Sequence, residues 1–260
     1  MNLGDDFFLA DGVVYGPIQS RRLGVSLGLN LLPANVKVCG FNCNYCQCGW
    51  TYDLVDEPSL AKLKFPSGRE IAAELEAWLK GNPSTKVDCI TMSGNGEPTL
   101  HPDFDGVVTD VIDVRDRLAP GVRLDILTNG ALLHDHPRVV GGCNLLDERY
   151  VKLDGGTDST FLEMNSPTFD ISVWAIIQGA KRLRDCVVQS MFTHGRRDNT
   201  TPAAVESWIK AVAQINPKGV HLYTVARRPA DNKITGVDRA TLASIAERMN
   251  GETGIPAEVF

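Results

Sequence analysis

The 260-residue chain is 43% hydrophobic and 22% charged, enough apolar material for a full core and free of the bias that marks disordered or fibrous sequences. Its 26 Lys and Arg face 32 Asp and Glu, a net charge of −6 that argues against a protein whose main task is gripping a polyphosphate backbone, though a local basic patch is compatible with it. No apolar run reaches the roughly 18 to 20 residues of a membrane span, and Met1, Asn2, Leu3, Gly4, Asp5 and Asp6 lack the basic-then-apolar profile of a signal peptide, so a cytoplasmic protein is expected.

In chain order, the first apolar, β-branched run is 25–30, and a long strand-poor loop follows over 31–66. Ser67 and Glu70 then form a capping box, each side chain satisfying a free backbone N–H, and open an amphipathic helix with Ile71, Leu75, Trp78 and Leu79 on one face. Further strands are predicted at 87–92, 122–127, 149–153, 187–193 and 220–226, with helices starting near Pro102, Ile171, Pro202 and Asp238. Strands separated by helices imply parallel pairing through right-handed crossovers. A closed eightfold barrel takes about 250 residues for its eight units. Only six strands are evident here, so the expectation is an α/β fold: an open, partial (βα)6 TIM-like barrel with outer helices. No linker or repeat divides the chain, which reads as one domain, 1–260, with core strands between 25 and 226 and a C-terminal helix and tail over 238–260. The tail 255–260 is compatible with a short edge strand or with a segment packed across the barrel end.

Of seven cysteines, four (Cys39, Cys43, Cys46 and Cys48) fall within ten residues, whereas Cys89, Cys143 and Cys186 are far apart. A disulfide framework would spread its cysteines through a small chain, so the tight group reads as metal chemistry. In β/α barrels the chemistry sits where loops converge at the C-terminal strand ends. After the first strand, Cys39, Cys43 and Cys46 have the spacing C-x3-C-x2-C, with Tyr45 before the third. Three thiolates in one loop can hold three irons of a 4Fe–4S cluster and leave the fourth iron open. A structural zinc knuckle is the alternative, but zinc ligands usually come as two separated pairs, and no second pair follows. The second strand ends in Ser93, Gly94, Asn95, Gly96 and Glu97, and the third in Thr128, Asn129 and Gly130. Lys152 and Asp154 alternate around Leu153 after the fourth and so face the same way. The fifth carries Gln189 and leads to His194 and Asn199, and the sixth to Tyr223, Arg227 and Arg228.

These segments together resemble the radical S-adenosylmethionine (SAM) superfamily, and with the 15–24 segment they are similar to its branch related to the wyosine-forming enzymes of tRNA. The resemblance implies that Cys39, Cys43 and Cys46 hold the cluster, and that Tyr45, Ser93, Gly94, Asn95, Gly96, Glu97, Thr128, Asn129 and Gln189 contact SAM, Glu97 through its amino group. It turns Lys152 and Asp154 toward the cavity as catalytic candidates and makes His194, Asn199, Tyr223, Arg227 and Arg228 candidates for substrate contact; a solvated loop is the alternative for His194 and the arginines. Cys48 is awkward as a fourth ligand and reads as a structural thiol, or alternatively as a hydrogen-atom donor, with Cys143 and Cys186 weaker candidates. The implied chemistry is reductive cleavage of SAM to a 5′-deoxyadenosyl radical that abstracts hydrogen from substrate. Acidic charge and the lack of a second cysteine group favour a small molecule or small peptide over a tRNA nucleoside. A binding or electron-transfer module without SAM chemistry would need neither Gly94, Gly96 nor Glu97. The expected reductant is a flavodoxin or ferredoxin, for which Arg21, Arg22 and Lys37 are candidate docking residues.

Overall fold

The computed structural model describes residues 7–51 and 60–260. The strands are β1 (Val14–Ser20), β2 (Gly24–Leu29), β3 (Cys89–Met92), β4 (Arg123–Thr128), β5 (Glu148–Lys152), β6 (Val187–Gly195), β7 (Gly219–Thr224), β8 (Ile234–Gly236) and β9 (Ala257–Val259). The α-helices are α1 (Gly68–Gly81), α2 (Phe104–Leu118), α3 (Pro137–Leu145), α4 (Asp158–Asn165), α5 (Val173–Ala180), α6 (Pro202–Ile215) and α7 (Arg239–Thr253).

The sheet runs β1-β2-β3-β4-β5-β6-β7-β9, and β8 pairs with β6 off this path. Strands β2 to β7 are parallel to one another and coincide with the six predicted from the sequence. The sheet is not closed: β1 lies antiparallel on one edge and β9 parallel on the other. The fold is α/β, a mostly parallel sheet with outer helices in the manner of partial TIM barrels.

Some elements correct the sequence reading. β1 was not predicted because Gly16 and Pro17 interrupt it and its residues are exposed or half-buried, a composition that suits an edge strand. β8 is only a three-residue return strand against the end of β6. The tail resolves as the edge strand β9, and α3 and α4 escaped because each is short and α3 contains Gly141 and Gly142. The capping box at Ser67 and Glu70 is present as predicted, and Ile71 and Leu75 are fully buried beneath it.

Alternation along the strands divides the sheet into two unlike faces. Leu27, Leu29, Ile90, Met92, Leu124, Ile126, Val188 and Val220 join the helices in one large core that includes Ile71, Leu75, Val108, Ile176, Trp208 and Val212. The opposite, inner face carries Ser26, Thr91, Asp125, Lys152, Gln189 and His221, with one small apolar group of Leu23, Cys89, Tyr150 and Val187. The main core therefore lies between sheet and helices, and the barrel interior is polar. Among the described residues no helix is long and apolar enough to cross a membrane.

Candidate active site

The loop after β2 spans the C-terminal ends of the strands. Val38 N–H donates to Asn95 O (2.8 Å) and Glu97 N–H to Val38 O (3.0 Å), joining it to the segment after β3. On the far side Asn42 N–H donates to Asn165 O (2.8 Å), Asn44 N–H to Met164 O (3.1 Å) and Thr168 N–H to Gly40 O (2.9 Å). The loop is thus held as a bridge across the mouth by backbone bonds to the segment after β3 on one side and to the C-terminal end of α4 on the other.

The glycines of the β3 segment make this contact possible. Gly96 has φ +136, and a Cβ there would stand 1.9 Å from Val38 O; at Gly94, with φ +127, it would meet Asn30 Oδ1 at 2.7 Å. Only glycine adopts such backbone angles without strain and admits a second backbone so closely.

Cys39, Cys43 and Cys46 are half-buried at the mouth, and Cys48 is buried. No three described side chains converge tightly enough to ligate a single ion. Three thiols in one loop are the donor chemistry of an iron–sulfur cluster. Their surroundings also suit it. Cys39 Sγ accepts from Phe41 N–H (3.4 Å) and faces Asn129 Nδ2 (3.8 Å), while Cys43 Sγ accepts from Asn165 Nδ2 (3.3 Å). The half-buried Lys37 ammonium donates to Gly49 O (2.6 Å); desolvation would lower its pKa, but the fields of Cys46, Cys39 and Cys43 outweigh this and hold it charged. Cys46 is drawn down to about 6, chiefly by a hydrogen bond from the Cys48 thiol, with Lys37 assisting against burial. Burial pushes Cys43 up to about 11 and Cys39 higher. Cys48 keeps its proton, well above the ordinary thiol range, through its bond to Cys46, and also approaches Gly94 O at 3.5 Å.

Glu97 is 3% exposed. Its Oε1 accepts from Thr99 N–H (3.2 Å), Thr99 Oγ1 (2.6 Å) and Thr128 Oγ1 (2.7 Å), and Oε2 from Asn129 N–H (2.6 Å). Burial raises its pKa and these donors oppose the rise. Glu97 therefore ties the β3 and β4 ends together, with acceptor capacity left on Oε2 alone. The side chain of Asn95, a residue expected to contact SAM, clamps the N-terminal segment: Oδ1 accepts from Ala10 N–H (2.6 Å), and Nδ2 donates to Ala10 O (2.8 Å) and Pro33 O (3.0 Å). Ser93 Oγ is 2.7 Å from the Tyr15 hydroxyl.

Across the mouth, Lys152 and Asp154 both face inward. Lys152 Nζ is 2.9 Å from Asp154 Oδ1 and donates to the Tyr223 hydroxyl at 2.8 Å; burial lowers its pKa, but Asp154 and Tyr223 reverse the shift. Asp154 also accepts from Met191 N–H (2.7 Å), from Asn165 Nδ2 (2.8 Å) and from the Tyr45 hydroxyl, so Tyr45 reaches from the cysteine loop onto β5. Burial, then the Asp154 charge, keeps that phenol protonated. Asn165 was missed in the sequence, where nothing marks it; it touches Cys43, Tyr45 and Asp154 at once. Asn199 gives both amide protons to Asp154 O (2.9 Å) and Met191 O (2.8 Å), and Oδ1 accepts from Thr193 N–H (2.9 Å), which makes it a strut rather than a free donor. His194 lies further out on β6, beside Asp198 (3.0 Å) and Thr200 (3.1 Å). Gln189 sits deeper in the barrel than the loop, its Oε1 accepting from Arg22 (2.7 Å).

Two cavities open at the surface. One, of about 670 Å³, lies at the N-terminal strand ends around Arg123, Glu148, Lys218 and His221, away from the cysteines. Its acids and bases largely pair, Lys218 with Glu148 at 2.5 Å and Arg123 with Asp125 at 3.3 Å. The other, of about 400 Å³, adjoins the cysteine loop and gathers Phe7, Trp50, Arg196, Arg197, Arg228 and Lys233. Arg227 beside it donates to Gln47 Oε1 (2.8 Å). Of the docking residues expected from the sequence, Arg21 and Arg22 are on the β1–β2 turn at the opposite end, and the half-buried Lys37 donates to Gly49 O within the loop.

A mostly parallel, open β/α barrel with a cysteine-rich loop bridging its mouth is the class of architecture the structure defines. The family model of the Radical SAM superfamily matches residues 36–207. The chain belongs to this superfamily and is a radical SAM enzyme, a class that uses SAM and an iron–sulfur cluster. A UPF0026 protein of Synechocystis is 29% identical over 268 residues, covering 94% of each chain. A Brachyspira hyodysenteriae protein named GTPase Obg is 28% identical over 95% of this chain, which spans only 35% of that protein's length. Among solved structures, TYW1 with a lysine–pyruvate adduct bound superposes with a TM-score of 0.62 at 14% identity, covering 88% of this chain and 74% of that one. SuiB of Streptococcus suis bound to S-adenosylmethionine gives 0.61 at 14% identity over 90% of this chain and 50% of that one. At these identities the likeness is one of fold.

Proposed function

We propose that this chain, as a single catalytic domain, binds a 4Fe–4S cluster through Cys39, Cys43 and Cys46 and uses SAM to begin radical chemistry on a small molecule or small peptide. The observation that carries the reading is the three-thiol bridge across the barrel mouth, with N–H donors on its sulfurs and the half-buried Lys37 ammonium in the field of the thiols. The bound groups would supply reductive cleavage of the SAM sulfonium and hydrogen abstraction from substrate.

The chain's own residues prepare the place. Lys37 offsets thiolate charge, and Asn129 and Asn165 direct N–H groups at Cys39 and Cys43, the kind of outer-sphere contact that orients ligands and tunes a cluster. Cys48, whose proton lies toward Cys46 and Gly94, acts as a structural thiol. Cys143 and Cys186 are buried in the outer core and serve packing. Gly94 and Gly96 present backbone, Oε2 of Glu97 is the acceptor for the SAM ammonium, and Thr128 and Asn129 stand beside it. Lys152 and Asp154 face the substrate. The basic cavity of Arg196, Arg197, Arg228 and Lys233 beside the loop is the docking surface for an acidic reductant such as a flavodoxin or ferredoxin. The net charge of −6 favours a small substrate over tRNA.

Anaerobic reconstitution with iron and sulfide, followed by SAM and dithionite, tests the proposal. The expected product is 5′-deoxyadenosine; methylthioadenosine would mean that another carbon–sulfur bond breaks. No SAM turnover with a full cluster would overturn it.

A further inference from the structure

Arg22 stands on the turn between β1 and β2, at the barrel end remote from the cysteines, yet its side chain rises into the interior. Its NH1 donates to Gln189 Oε1 at 2.7 Å, and its guanidinium carbon lies 4.0 Å from the centre of the Tyr223 ring. Lys152 approaches the same ring, with Nζ 4.8 Å from the centroid and 2.8 Å from the hydroxyl. Two cations thus share one aromatic side chain.

Their acids do not balance them. Asp154 pairs with Lys152, and its remaining bonds go to Tyr45, Asn165 and Met191. No carboxylate lies within 4.0 Å of Arg22 among the described residues. Gln189 sharpens the imbalance. Because its oxygen must accept from the guanidinium, the amide nitrogen is fixed on the other side, where Nε2 is buried and has no partner in a residue only 2% exposed. A buried donor left without an acceptor is destabilising until a ligand or partner satisfies it. His221, paired in register with Gln189 on the next strand, has an unpartnered Nδ1 as well. The side chain of Lys152 is 19% exposed, and Arg22 and His221 also line the cavity at the N-terminal strand ends.

We propose that the barrel floor is an anion subsite for a carboxylate-bearing substrate, its two oxygens taken by Arg22, the Gln189 amide and Lys152, with the rest of the molecule rising toward the cysteine loop. Arg22, Lys152 and Asp154 leave one positive charge, and Glu258, which lines the N-terminal cavity with Arg22, leaves no room for a second negative charge on the ligand. A phosphate ester, at about −1.5 to −2, leaves negative charge uncompensated, and a planar carboxylate fits the guanidinium fork. This rests on the small-substrate reading above and names its chemical class.

The test is titration of the ¹⁵N-labelled full-length protein with monocarboxylates from acetate to hexanoate, with the matching amides and inorganic phosphate as controls. The Gln189 side-chain amide resonance, assigned through Gln189→Glu, is the readout. Carboxylates should shift it saturably and the amides and phosphate should not. Arg22→Gln should weaken binding about tenfold or more; should that variant fail to fold, Arg22→Lys keeps the charge, loses the fork, and should still weaken it. Gln189→Glu places an internal carboxylate beside Arg22 and should abolish binding while retaining cluster content. Absence of saturable binding in protein that cleaves SAM, a preference for phosphate, or unchanged binding in both Arg22 variants would overturn the subsite and leave the functional reading intact. Carboxylate binding by cluster-loaded protein that does not turn over SAM would support the subsite and overturn the functional reading.

Discussion

Glu97 at the barrel mouth and Gln189 deeper in the barrel make hydrogen bonds that differ in kind. On the β3–β4 side the Glu97 carboxylate is gripped by Thr99, Thr128 and Asn129, while Gly94 and Gly96 press backbone against backbone. On the β5–β7 side Lys152, Tyr223, Arg22 and Gln189 form a chain with donors in excess. The first side is nearly closed within the protein, with only Oε2 of Glu97 left to accept a further donor. The second is incomplete, and its missing acceptors describe what this particular chain binds.

That contrast can be broken experimentally. The largest effect is expected from Gly96→Ala, which combines a strained φ with a Cβ 1.9 Å from Val38 O. Thermal or denaturant unfolding should show a loss of about 4 kcal/mol and detachment of the cysteine loop from β3; a loss under 1 kcal/mol would mean the two backbones separate freely. Next, Asp154→Asn removes the only acid paired with Lys152, and roughly 3 kcal/mol of destabilisation should follow. Unchanged stability would show that the β5–β7 side tolerates yet more excess positive charge.

Asn165→Ala should weaken cluster retention about 10- to 100-fold in a chelator challenge, because the amide serves Cys43 and holds Tyr45 and Asp154. Retention equal to the parent would confine its role to the β5 end. The smallest effect involves His101, outside both halves. Its Nε2–H donates to Pro66 O (2.8 Å) and its Nδ1 accepts from Asp103 N–H (3.1 Å), so the ring must be neutral, and burial lowers its pKa from 6.5. The folded state then binds fewer protons than the unfolded one, and stability should be full above pH 6.5 and decline as pH falls toward the lower folded value. His101→Gln should cost about 1 kcal/mol at neutral pH and flatten that decline.

Much of the first half was readable from residue order alone. The C-x3-C-x2-C loop, the glycine pair and six β-branched runs are local signals, and each falls where it was expected. The edge strand β1 carried no such signal, because Pro17 and its exposed residues imitate a loop. The second half was readable only in part. Alternation placed Lys152 and Asp154 on one face, but Asn165 supports Cys43 from a helix 122 residues away in sequence, a relation set by the crossover geometry. Arg22 was taken for a surface cation near the loop; its rise through the barrel depends on a turn whose direction the sequence does not encode locally.

The placement of the main core outside the sheet has an evolutionary consequence. Side chains such as Lys152, Gln189, His221 and Tyr223 point away from the layer of Leu27, Ile90, Ile126 and Trp208 that holds sheet to helices. Exchanging an interior residue alters the chemistry on offer with little disturbance to the packing that keeps the chain folded. A lineage can therefore wander among substrates by editing one face of its strands while the other face, under a separate selection, stays still.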